Sequence, residues 1–168
     1  AADLRAAGHE VLIALTGLPV APEPRDIDIA LSAHIARLPE AVGVWLPADS
    51  AVLRDRQLLR HAVAVLGDTG HGLVSPLNGL DAAGQEARAA GLPAISVPRA
   101  LESEGAGQGG VTRALARGAL RAGVEGRYVV QGETRADTLL ALRDGVSRLS
   151  GDTLAVAPLS ALLRRGAS

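Results

Sequence analysis

Short apolar runs alternate with helix-period stretches along the whole chain, and this alternation limits the fold more than any other feature. The runs read as strands over about residues 10–17, 41–46, 71–77, 93–97, 126–132 and 152–157. Between them, Ile27, Leu31, Ile35 and Leu38 recur at helical spacing, as do Leu59, Ala62, Val63 and Leu66. The result is six β/α units of about 28 residues each, with strands too uniformly apolar for a sheet that exposes one face to water. Such a pattern predicts a mostly parallel sheet covered by helices, with right-handed crossovers. Periodicity alone leaves two architectures open, an open doubly wound sheet and a (β/α) barrel that need not be complete.

Local signals set the expected helix boundaries. Asp26 or Asp28 is expected to cap the first long helix, which Pro39 stops. Ser50 is expected to cap a continuous helix to about residue 66, and Asp81 a short one closing at Gly91. A loop over 102–110 precedes a helix over about 111–122. Thr134 with Asp137 resembles a capping box for a helix to about 149, and Ser160 is expected to cap the last one. The first residues, AADLRAAG, read as the end of a helix closed by Gly8, so the expectation is that sequence lies upstream of Ala1.

Composition removes several classes of function. A chain of 168 residues fits one domain, here residues 1–168. A net charge of −1 gives no electrostatic footprint for nucleic acid, and Trp45 and Tyr128 are too few aromatics for base stacking. The absence of Cys excludes disulfides, thiol catalysis and thiolate metal sites. All 17 basic residues are Arg, so Lys-dependent Schiff-base and P-loop chemistry are out. Apolar runs of about seven residues fall far short of the roughly 20 that span a bilayer.

In either architecture ligands bind at the C-terminal ends of the strands. That rule collects Thr16 and Gly17 after the first strand, Trp45, Asp49 and Ser50 after the second, and Ser75 and Asn78 after the third. Arg99, Glu102 and Glu104 follow the fourth, Gln131 and Glu133 the fifth, Ser160 the sixth. The candidate pocket drawn from them is Trp45, Asp49, Ser75, Asn78, Arg99, Gln131 and Glu133, converging on one rim with Arg99 paired to Glu133. Trp45 could stack on a sugar ring there, or pack as an ordinary rim aromatic. His9 and His71 precede strands, and His34 and His61 fall within helices, so no imidazole cluster for a metal is expected. Gly105, Gly107 and Gly110 spell G-x-G-x-x-G, a pyrophosphate cradle when it directly follows a strand; here PRALESE intervenes, and a plain glycine loop explains it as well.

The segments RAAGHEVLIAL, LPEAVGVWLP, GLVSPLN, AAGLPAISVPRALE, VVQGETRADTLLALRDGV and LAVAPLSALL, in that order, resemble the divergent polysaccharide deacetylases, bacterial envelope-associated relatives of metal-dependent carbohydrate deacetylases. The resemblance covers almost the whole chain. It implies a distorted (β/α) barrel with its first two strands upstream of Ala1, a periplasmic location, and a glycan or cell-envelope protein as partner. It also implies motifs that this chain lacks. Leu18 stands at the family's acid, Trp45, Leu46, Pro47 and Ala48 replace its Asn-His-Met-Gly, and Ser75, Pro76, Leu77 and Asn78 replace its Asp-Ser-Arg-Thr. Glu133 falls at its His after Gly132. The expectation is therefore a degenerate member with no catalytic residue, metal or cofactor. The alternatives are a hydrolase that uses upstream aspartates with Glu133 and Asp49, and a nucleotide-binding α/β domain.

Overall fold

The computed structural model describes residues 2–105, 107–149 and 154–166. In chain order the elements are α1 (Ala2–Ala6), β1 (Leu12–Ala14), α2 (Pro24–Arg37), β2 (Gly43–Trp45), α3 (Ala51–Arg54), α4 (Arg56–Gly67), β3 (Gly72–Pro76), α5 (Ala82–Ala89) and β4 (Ala94–Val97). A 3-10 turn (Leu101–Glu104), α6 (Gln108–Glu125), α7 (Ala136–Leu149) and α8 (Leu159–Gly166) follow. The chain divides into two compact units, Ala1–Ser96 with Pro158–Ser168, and Val97–Ala157.

The first unit is built on the sheet. Its strands lie in the order β1-β2-β3-β4, with β1–β2 and β2–β3 parallel. The register aligns Ile13, Val44 and Leu73 in one row and Ala14, Trp45 and Val74 in the next. Successive residues of a strand point to opposite faces. The Ile13 row shares its core with Ile27 and Leu31 of α2, Leu59, Ala62, Val63 and Leu66 of α4, and Ala83 and Ala87 of α5. These helices thus pack on the same face. Strictly sequential order with the crossover helices α2, α4 and α5 on one face is the singly wound arrangement, and it lacks the order reversal of a doubly wound sheet. On the other face the strands approach closely at two glycines: a Cβ on Gly43 would meet the Gly72 carbonyl oxygen at 2.6 Å, and one on Gly72 would meet Leu163 of α8 at 2.6 Å.

The second unit is helical. Leu101, Val111, Ala114, Leu115 and Ala141 form its core. Residues 126–132 are not the expected strand: they lie along α6, where Tyr128 and Val130 crowd Gly118, and Gln131 accepts a single backbone bond from the Leu101 N–H at 2.8 Å. An apolar run becomes a strand only where a neighbouring strand can take its N–H and C=O groups, and here a helix takes the side chains instead. Of the expected last strand, residues 152 and 153 lie outside the described residues, Leu154 makes an isolated bridge, and 155–157 have no strand pairing. The described residues therefore show a four-stranded α/β sheet where six strands were expected, and not a closed barrel.

Several caps differ from expectation. Glu23, not Asp26 or Asp28, caps α2, with Pro24 at the first position and Asp26 accepting from the Glu23 N–H at 2.8 Å to complete a capping box. Asp28 instead meets His61 of α4 at 2.7 Å. The helix expected from Ser50 is broken at Asp55, whose extended backbone and carboxylate, accepting from Gln57 and Leu58, restart it as α4. Helix α7 begins at Ala136, two residues beyond Thr134, and Ser160 lies inside α8, its N–H given to Glu10 at 2.9 Å. Ser50 and Asp81 do cap their helices, and Gly8 takes the positive φ expected after α1.

Candidate functional site

Parallel strands deliver their following loops to one end, so the loops after β1, β2 and β3 share the C-terminal rim of the first unit. A cleft of about 300 Å³ opens there between the β1–α2 loop and α2. Thr16, Gly17, Leu18 and Pro19 form its loop wall. The helix wall is Asp26, Ile29, Ala30, Ala33 and His34. These recur at helical spacing, so α2 presents Ile27 and Leu31 to the core and a second stripe to the cleft. The two alanines keep that wall low. Gly17 takes φ 78, a left-handed turn that lets the loop swing away from β1. Polar groups are few and sit at the edge: the Thr16 carbonyl lies 3.4 Å from His34 Nε2, and Asp26 is engaged by the Glu23 N–H. Ile29 is 58% exposed, an apolar side chain offered to whatever enters.

None of the candidate pocket residues lines this cleft. Trp45 is half-buried at the end of β2, in the row facing away from α2, α4 and α5. Ser75 is buried in β3, while Asp49 and Asn78 are exposed in the loops after β2 and β3. Arg99, Gln131 and Glu133 belong to the second unit. The expected Arg99–Glu133 pair is not formed: Glu133 is exposed, its carboxylate lies 3.9 Å from Arg135, and Arg99 is an exposed loop residue. A partner two residues away needs no chain closure to reach it, which decides the competition.

Sequence reasoning missed His34 as a rim residue because it was placed simply in a helix. Its spacing from Asp26 and Ala30 was the available signal, since residues four apart share a helix face. It also missed the cluster around Asp81, which adopts φ 56, a left-handed conformation uncommon outside glycine. The Asp81 carboxylate accepts from the Gly84 N–H at 3.1 Å and from the Ser96 hydroxyl at the end of β4, with Arg88 at 3.6 Å. These bonds fix the α5 start against β4.

In the second unit the distinctive acid is Glu102. One carboxylate oxygen accepts from the Glu133 N–H at 2.8 Å and from the Thr138 hydroxyl, and the other is buried without a partner among the described residues. Burial works to raise its pKa, but the Thr138 and backbone hydrogen bonds and the Arg135 charge together outweigh this and hold it below the ordinary glutamate value. The glycine loop is explained without a ligand: a Cβ on Gly110 would meet the Gly105 carbonyl oxygen at 2.3 Å, and Gly105 and Gly107 both take positive φ. Glycine there is a requirement of the chain's own packing into α6.

A family model for the divergent polysaccharide deacetylases matches residues 1–163. The chain belongs to that family. Its structure is similar to the crystal structure of an uncharacterized protein, ATU2773 from Agrobacterium tumefaciens C58, with a TM-score of 0.84 at 18% identity, over 96% of this chain and 71% of that one. At that identity the likeness is one of fold. No curated protein matches.

The resemblance to metal-dependent deacetylases implies a cluster of His, Asp and Glu donors. Among the described residues no three His, Asp or Glu side chains come together. The described histidines stand apart from one another: His61 meets Asp28, His34 lies at the cleft edge, and His71, 7% exposed before β3, places Nδ1 at 3.1 Å from the Thr69 hydroxyl and leaves Nε2 buried without a partner among the described residues. The described residues do not fit a metal centre.

Proposed function

We propose that this domain binds a glycan without hydrolysing it, as a non-catalytic member of its family acting in the bacterial cell envelope. The observation carrying this reading is the chemistry of the strand ends. Where the family resemblance implies an acid, Leu18 stands; Leu46, within Trp45-Leu46-Pro47-Ala48, stands at one histidine and Glu133 at another; the cleft that includes Leu18 is walled by Leu18, Pro19, Ile29, Ala30 and Ala33. A low apolar wall edged by a few polar groups suits the C–H face of a sugar ring, with hydroxyls left to the edge and to water. General acid–base work needs a titratable group within reach of the reacting bond; of the two in the cleft, Asp26 already spends a carboxylate oxygen on its helix cap and His34 lies at the edge against the Thr16 carbonyl.

The test uses the full-length protein with and without added zinc, and an N-acetylated oligosaccharide. Calorimetry is expected to show binding in both cases, lost in Ile29→Glu, with no acetate released. Acetate release in step with stoichiometric zinc overturns the reading, as does binding that Ile29→Glu leaves intact.

A further inference from the structure

Asn78 is the chain's only asparagine, and Gly79 follows it directly. The pair opens the turn between β3 and α5. The Asp81 N–H donates to the Asn78 carbonyl at 3.0 Å and closes a four-residue turn, within which Gly79 takes φ 50. Asn78 stays out of the left-handed region, so the backbone here demands the glycine and not the asparagine before it. Residues 77–80 are all exposed, and a Cβ placed on Gly79 would meet nothing within 4 Å. As the second residue of its turn, Gly79 takes no part in the closing bond, and its N–H has no acceptor among the described residues.

An asparagine side chain is short enough for the next residue's backbone nitrogen to reach its amide carbon and close a five-membered ring. The reaction needs that nitrogen free of a hydrogen bond and unshielded by a side chain, and both conditions hold at Gly79. From this we infer that Asn78–Gly79 is a site of spontaneous deamidation on the C-terminal rim of the first unit. The Gly79 nitrogen gives its proton to water and attacks the Asn78 side-chain carbonyl carbon. That C–N bond forms, the bond to the side-chain nitrogen breaks, and the nitrogen leaves as ammonia. Water then opens the cyclic imide at either carbonyl. One opening gives aspartate, and the other gives isoaspartate, in which the chain runs through the side-chain carbon. Either product replaces a neutral amide by a carboxylate three residues before Asp81. The same ring closure is denied to Asp144–Gly145. Gly145 lies inside α7, where its N–H belongs to the helix ladder, and it is buried where a Cβ would collide with Leu115. The inference does not depend on the glycan reading, since Asn78 does not line the cleft.

Incubation of the folded full chain in mildly alkaline buffer, beside a synthetic peptide of residues 74–83 as the clock, tests it. Anion exchange is expected to show a more acidic species accumulating in the protein. Peptide mapping by mass spectrometry should confine the amide-to-acid mass change to Asn78 and find isoaspartate in part of the product. The rate should rise with pH, because the attacking nitrogen must lose its proton. Asn78→Gln keeps the amide but lengthens the side chain by a methylene, so the acidic species should be lost. A folded chain still unconverted when the peptide is half converted overturns the inference, because the turn then protects its own amide. So does an acidic species of the same size in Asn78→Gln, or isoaspartate that forms at Asp144 as fast as at Asn78. The comparison of parent chain with peptide decides the matter even if the variant fails to fold.

Discussion

The first unit and the second unit each anchor a glutamate, but they do so by different physics. Glu86 of α5 is held by Arg56 and Arg60 of α4, the latter at 3.0 Å, and those hydrogen bonds, outweighing burial, keep its pKa below the ordinary value. Both arginine side chains are about two-thirds exposed, 66% and 64%. The pair decorates a unit already held by the sheet and three helices. Glu102 of the second unit is held by two uncharged donors, the Glu133 N–H and the Thr138 hydroxyl, and Thr138 is 1% exposed. That unit has a far smaller apolar core, so its polar tie carries a larger share of what fixes the 131–138 segment to the 3-10 turn. A carboxylate matters to a fold according to what else holds the same elements together.

The widest test of this contrast is in the apolar core. Leu66 is fully buried between α4 and the sheet, and Leu66→Ala should cost about 2–5 kcal/mol in denaturant unfolding. A loss well below that range would mean the first unit is not governed by its core. Next comes Glu102→Ala, which strands the buried Thr138 hydroxyl and the Glu133 amide and should cost roughly 1–3 kcal/mol. Amide exchange should locate the loss in residues 131–138; a loss spread evenly over both units would break the comparison. The smallest effect separates the two anchors by pH and salt. Both glutamates have folded pKa values below the unfolded value of 4.5. The unfolded chain therefore binds more protons in that window, and both contributions, complete above it, fade as the pH falls through the folded values. High salt should reduce the Glu86 contribution, which rests on exposed arginines, and spare most of the Glu102 contribution, which rests mainly on neutral donors. Acid melts recorded with and without salt, read unit by unit through amide exchange, check this; equal salt sensitivity would remove the distinction.

Much of the first unit could be read from the chain itself. All four strands of the sheet fall within the expected apolar runs, and Ser50 and Asp81 cap the helices assigned to them. Caps of this kind close over two or three residues, so the sequence contains both partners. The family resemblance rested on the order of the same segments, and the family match over residues 1–163 agrees with it.

What the tertiary structure alone decided involves partners far apart in the chain. The run Tyr128–Val130 has strand composition but lies against Gly118 of α6, because β-propensity expresses a fit to a neighbouring surface and not an intrinsic backbone state. Glu133, placed by motif position at a site of chemistry, is an exposed residue beside Arg135, while Glu102 reaches across 31 residues to its backbone and 36 to Thr138. The cleft arises where the loop after β1 meets the stripe of α2 around Ala30 and His34. The sequence determined where backbone hydrogen bonds and apolar periodicity repeat locally, because those forces act within a turn or a strand. Which side chains meet across the fold was decided only when packing closed the loops between them.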